Sequence, residues 1–354
     1  MITAEAQAAS IARIRSFLPV DSLLKADRIA KINGRYIGLT RDIALKRGFD
    51  ALITSVAVTN LKSIAKPDKR RILGICGESG AGKTTALLEH TMSQPAMQPY
   101  VDEEGNQISP LLVFAAPSPC TPRLLAFEAL RVIGYPARKD LPEHQMWDLF
   151  RTAIKVHKVH WILIDEAQHA IDSATVIESV KIANAFKNLV QMPDWPVRLI
   201  LAGVEPLGTF LSNKQLANRR SVVLFEKLLG SAGHRTIADV IRLIVHDHAT
   251  LETSLQEDLD FIQRLAHATE ADFGTTVQTI RSAVESAIMA DQKSVTIDHF
   301  VECYANLSGC KGEENIFIAK HWKELRPNLA ILREADLKWQ ADRPRRTRAA
   351  GVHK

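Results

Sequence analysis

The sequence predicts an α/β fold, a parallel five-stranded sheet flanked by helices and followed by a small α-helical lid. Three observations predict it. Short apolar runs alternate with helical patterns from residue 71 to 225, the arrangement of strands joined by helical crossovers. The first of those runs feeds a glycine-rich loop that opens a helix. Beyond residue 236 the apolar period is helical throughout.

The opening strand is expected over 72–76. The loop that follows, Gly77-Glu78-Ser79-Gly80-Ala81-Gly82-Lys83-Thr84-Thr85, matches the phosphate-loop pattern G-x-x-x-x-G-K-[ST] at Gly77, Gly82, Lys83 and Thr84. Glycines let successive backbone N–H groups turn inward around phosphate oxygens, and a helix N-terminus adds partial positive charge. Residues 77–85 are therefore expected to bind ATP, with Lys83 reaching the β- and γ-phosphates and the Thr84 hydroxyl ligating Mg²⁺.

Strands are next expected over 111–115 and 160–165, separated by a proline-punctuated loop (117–122) and helices over 123–134 and 142–158. The strand at 160–165 carries four apolar residues and ends in Asp165-Glu166. A buried parallel strand delivers such a carboxylate to its C-terminal edge, beside the phosphates. Asp165 is expected to hold Mg²⁺ through its water shell, and Glu166 to orient and deprotonate the attacking water. A helix over 173–190 leads to a strand over 197–202, and the last strand is expected over 222–225. Just before it, adjacent Arg219 and Arg220 suit an arginine finger for a neighbouring subunit's γ-phosphate, either residue qualifying.

Ahead of this core, helical patterns cover 3–16 and 40–62; Lys66-Pro67-Asp68 ends the second. Behind it, Ile237, Val240, Ile241 and Ile244, then Val277, Ile280, Val284 and Ile288, keep helical spacing. Four segments are thus expected: a basic helical leader at 1–66, the nucleotide-binding core at 67–232, the lid at 233–310 and a partner-binding segment with a basic tail at 311–354.

Composition narrows the class. With 354 residues and 46% hydrophobic content the chain can bury a substantial core. No apolar run has the length of a membrane span, and no signal pattern opens the chain. Cys76, Cys120, Cys303 and Cys310 form no metal-ligand pattern, so reduced thiols and a cytoplasmic location are expected. The net charge of +5 is unevenly spread, with 14 Lys/Arg against 6 Asp/Glu in residues 1–72 and Arg343, Arg345, Arg346, Arg348 and Lys354 near the end. Such a balance favours a polyanionic partner.

Taken together, Gly77 to Thr85, Ile164-Asp-Glu-Ala-Gln-His169, the run at 196–203 and Gln215-Leu-Ala-Asn-Arg-Arg220 resemble an AAA+ ATPase, more narrowly the TniB/TnsC family of bacterial transposition regulators. The resemblance covers roughly residues 30–310. It implies an AAA+ core and a slow, regulatory ATPase that self-associates as a ring or filament on double-stranded DNA. It also implies a transposase partner, a TniQ-like target-selection protein and a DNA-associated bacterial cytoplasmic location. Thr121, Arg123, Arg138 and Lys139, around the helix after the second strand, are the expected DNA contacts, suited to phosphates rather than base edges.

Two positions depart from the family. Val204 stands where a polar sensor of the γ-phosphate is usual, with Glu205 the nearest substitute. Phe273-Gly-Thr-Thr276 lacks the lid arginine, and Arg281 lies further along. The alternative class is a STAND-type signalling NTPase that oligomerises without DNA; such switches carry long sensor repeats, and none is evident here.

Overall fold

The computed structural model describes residues 4–57, 71–172 and 176–327. The helix stop at 66–68 and the basic run at 343–354 lie outside the described residues.

In chain order the helices are α1 (Ala4–Arg15), α2 (Val20–Asn33), α3 (Arg41–Ala57), α4 (Lys83–Met92), α5 (Pro122–Val132), α6 (Glu143–Val156), α7 (His169–Asp172), α8 (Val176–Val190), α9 (Pro206–Leu211), α10 (Gly230–Arg242), α11 (Leu259–Ala268), α12 (Phe273–Met289) and α13 (Ile297–Ser308). The strands are β1 (Ile72–Gly77), β2 (Tyr100–Val101), β3 (Gln107–Ile108), β4 (Leu111–Ala115), β5 (Trp161–Asp165), β6 (Arg198–Gly203) and β7 (Arg220–Phe225).

Five strands form one parallel sheet in the order β4-β5-β6-β1-β7, and β2 with β3 makes a separate antiparallel hairpin. From β1 the chain crosses to the β4 edge, returns strand by strand to β6, then passes over β1 to β7. The carboxyl end of β1 is thus a topological switch point, where open α/β sheets bind ligands.

Contacts divide the chain into two compact units, 36–226 and 1–35 with 227–354. In the first, side chains alternate across the sheet with period two. Ile72, Ile162, Ile164, Leu199 and Leu201 face one core with α5, α6, α8 and α9. Leu73, Ile75, Trp161, Leu163 and Ile200 face the other, closed by α3 and α4 through Leu45, Phe49, Leu52 and Leu87. Each of those fully buried leucines and phenylalanines stabilises by about 1.5–3 kcal/mol. Two glycines keep this packing close. A Cβ on Gly48 would lie 2.7 Å from Leu73, and one on Gly74 would lie 2.3 Å from Leu211. At the foot of the sheet, buried Arg198 donates to Ser55 Oγ at 2.5 Å and to Ser55 O at 2.6 Å, tying α3 down.

The second unit is helical. The leader divides: α3 belongs to the sheet unit, whereas α1 and α2 group with the C-terminal helices. Lys25 pairs with Asp291 at 2.5 Å, Arg28 donates to Ala249 O at 2.7 Å and Arg281 donates to Arg35 O at 2.5 Å. After α13 the chain does not run free at once. Phe317 joins an aromatic cluster with Phe261, Phe300 and Tyr304, and Arg264 donates to Ile316 O and Ala319 O at 2.7 and 2.9 Å.

Candidate functional site

The loop between β1 and α4 sits at the switch point, and its sequence explains its course. Gly80 and Gly82 have φ of +80° and +86°, left-handed conformations that glycine adopts at least cost. Gly77 is required by crowding instead, since a Cβ there would lie 2.6 Å from Phe225 Cβ and 2.7 Å from its carbonyl oxygen. Arg41, at the start of α3, donates to Ala81 O at 2.8 Å and stacks 3.9 Å above the Phe225 ring. α3 thus clamps the loop, a function its sequence did not announce.

Lys83 is 8% exposed, its ammonium donating to Gly77 O at 2.9 Å and Glu78 O at 2.8 Å. Thr84 Oγ1 donates to Asp165 Oδ2 at 2.8 Å, so the loop and the end of β5 meet through the two residues expected to share a metal. Two hard oxygen donors side by side fit Mg²⁺, which takes few protein ligands and keeps waters. Glu166 follows with φ +51°, a left-handed backbone uncommon outside glycine, and its N–H donates to Asp165 Oδ1 at 2.9 Å. Cys76, just before the loop, is a spectator: burial, reinforced by Glu205, pushes its thiol up to about 11.

The turn after β5 holds a residue to which the sequence reading gave no role. Gln168 is 5% exposed. Its amide nitrogen donates to Glu166 Oε2, and its oxygen accepts from Val204 N–H at 3.3 Å. Glu205, the expected substitute sensor, stands at the start of α9, where it makes no side-chain cap bond and accepts from Thr209 Oγ1 at 3.4 Å.

The two arginines lie at the other end of the sheet. Arg220 is in register with Ile72, while the loop begins at Gly77, paired with Phe225. Five residues at about 3.3 Å each place the Arg220 backbone roughly 17 Å from the loop of its own chain. Arg219 is held internally, donating to Gln215 O at 2.8 Å and, with the Gln191 amide turned to accept, to its oxygen at 2.8 and 3.2 Å. Arg220 makes one side-chain contact, to Ser212 Oγ at 3.2 Å, and its buried Nε has no hydrogen-bond partner among the described residues.

Of the four expected DNA contacts, Thr121 and Arg123 open α5 and Arg138 and Lys139 follow it in sequence. Thr121 caps α5, its hydroxyl accepting from Leu124 N–H at 3.2 Å, and exposed Arg123 stands in the first turn. Arg138 is paired with Asp140 at 2.7 Å, and Lys139 lies 5.6 Å over the Phe127 ring. In the helical unit Thr276 is fully buried and bonded to Thr269 at 2.9 Å, so the segment at 273–276 is interior packing.

A family model described as an AAA domain matches residues 66–211. Among solved structures the chain is similar to Cdc6p from Pyrobaculum aerophilum, with 14% identity, 80% of this chain and 72% of that one covered, and a TM-score of 0.51. The fold is that of an AAA+ ATPase. Two Aeropyrum pernix proteins are similar at a TM-score of 0.49. One is ORC2 in ADPNP–ADP complexes, at 15% identity over 78% of this chain and 70% of that one. The other is ORC1 in complex with DNA, at 16% over 73% and 65%. No curated protein matches the sequence. The segment matched as an AAA domain lies within the sheet unit, and no helix among the described residues is long and apolar enough to cross a membrane.

Proposed function

We propose that this AAA+ chain hydrolyses ATP slowly and uses the nucleotide to time its assembly on double-stranded DNA, where it recruits and stimulates a transposase. The observation that carries the ATPase reading is the 2.8 Å contact from Thr84 to Asp165, with Glu166 next in the chain. ATP takes the loop of residues 77–85, and Lys83 exchanges its bonds to Gly77 and Glu78 carbonyls for phosphate oxygens. Thr84 and Asp165 would hold Mg²⁺, which would supply charge neutralisation to the phosphates. Glu166 takes a proton from water as the water oxygen bonds to the γ-phosphorus; the bridging P–O bond breaks and ADP leaves.

Arg220 acts on a neighbouring subunit's γ-phosphate, its guanidinium making one hydrogen bond among the described residues, to Ser212. Arg219 braces it. The transposition reading, with its transposase and TniQ-like partners, is supported by the Asp165 to His169 and Gln215 to Arg220 motifs. Thr121, Arg123, Arg138 and Lys139 contribute contacts to the DNA backbone.

ATP turnover and sedimentation, with and without double-stranded DNA at two salt concentrations, test this. DNA should raise turnover and produce larger assemblies, and the effect should fall with salt. If neither quantity responds to DNA, the transposition reading fails and a STAND-type switch gains. Lys83→Ala should abolish nucleotide-dependent assembly. Glu166→Gln should keep binding, trap the assembly and slow turnover by about 10²–10⁴.

A further inference from the structure

The polar sensor position after β6 is occupied by Val204, whose side chain can neither donate nor accept. The described structure places another polar group at that point. Gln168 reaches from the turn after β5 to the end of β6, and its oxygen takes the Val204 N–H at 3.3 Å. The same amide donates to Glu166 Oε2.

The backbone is shaped around this link. Ala167 N–H donates to Ala202 O at 2.8 Å, drawing the turn onto β6. A Cβ on Gly203 would lie 2.4 Å from Gln168 Oε1, so only glycine leaves room for the amide. Glu166 bends through φ +51°, which turns its side chain back within reach of a residue two positions on. A buried amide with both ends engaged has one rotamer available and fixes whatever it holds.

We propose that Gln168, in the turn after β5, is a positioning residue for Glu166, supplying the polar function that Val204 lacks just beyond β6. This rests on the ATPase reading of the site. One carboxylate oxygen of Glu166 is occupied by the Gln168 amide, so the other is the one presented to water. The remaining amide hydrogen of Gln168 is available to the γ-phosphate or the attacking water, since a primary amide carries two donors. The amide thereby couples the geometry of the base to the end of β6, the strand lying between β5 and β1.

Steady-state ATP turnover and nucleotide affinity distinguish positioning from mere packing. Gln168→Ala should lower kcat by roughly 10–100-fold, the scale of a lost supporting contact, while nucleotide Kd stays within about twofold. In a Glu166→Gln background the same change should add little, because residues that act as a unit are non-additive. Gln168→Glu keeps the shape and guards against a folding defect. Below the upper apparent pKa of the resulting carboxylate pair, one shared proton restores a donor to Glu166. Turnover of that variant should therefore survive at acid pH and show an alkaline limb that the parent protein lacks.

If Glu166→Gln leaves turnover unchanged, the reading of the site itself fails. If Glu166→Gln slows turnover but Gln168→Ala does not, the positioning role fails alone. Additive effects, or a Gln168→Glu pH profile shaped like that of the parent, would also overturn it.

Discussion

At the scale of residues, the two arginines next to β7 show how position in a parallel sheet assigns a role. Arg219 supports its own chain through Gln215 O and Gln191, whereas the Arg220 side chain makes one hydrogen bond among the described residues, to Ser212. Arg219→Ala should then destabilise the folded chain by about 1–3 kcal/mol, the cost of unsatisfied buried groups, read by urea unfolding. Arg220→Ala should leave stability nearly unchanged and lower assembly-dependent turnover by roughly 10³-fold, as loss of a finger does. Mixing the Arg220→Ala and Lys83→Ala chains should restore turnover, since one supplies the loop and the other the arginine. Absence of that complementation would rule out action between subunits.

Among the elements, the β2–β3 hairpin is the one held most visibly by charge. Asp102 accepts from Lys158 Nζ at 2.7 Å and from the N–H groups of Asn106 and Glu104 at 2.8 and 3.1 Å. The Lys158 ammonium, helped by Asn106, holds the Asp102 carboxyl down to about 2. An unfolded aspartate titrates near ~3.9. The folded value is depressed, so this link contributes fully above that pH and is lost as pH falls toward 2. A carboxyl NMR titration should find the Asp102 midpoint near 2 in the parent protein. It should move upward in Lys158→Met; an unmoved midpoint would mean that the lysine is not the cause. The turn of the hairpin is legible in the sequence, as the acidic run Asp102-Glu-Glu-Gly105 closed by glycine. Its anchor is not, because Lys158 is 56 residues away in sequence.

For the whole molecule, the division into 36–226 and 1–35 with 227–354 places stability in segments whose sequence looks peripheral. The stretch after α13 is such a case. Trp322 is 7% exposed, 5.3 Å from His267 and 5.4 Å from the Arg264 guanidinium. Trp322→Ala should cost the helical unit about 3 kcal/mol, measured by denaturant unfolding; a change within about 0.5 kcal/mol would show it to be a surface residue. The basic leader is another. Arg15 and Lys25 pair with the carboxylates of Asp27 and Asp291, while Arg28, Arg35 and Arg41 donate to backbone carbonyls and keep their charge.

The sequence by itself determined the five strands, the phosphate loop and the placement of Asp165 and Glu166. Each of these follows from local patterning: an apolar strand, glycines where the backbone must turn, a carboxylate at a strand end. It did not reveal α2 as an element or the strap after α13, whose formation depends on contacts with distant helices. Only the tertiary structure decided that Arg41 clamps the loop, that Arg220 is the less restrained arginine and that Gln168 joins Glu166 to the end of β6. Those outcomes depend on which strand lies beside which. The sheet order puts β6 between β5 and β1, and that adjacency lets the glutamine of the Ile164–His169 motif bond both Glu166 and the backbone just beyond β6.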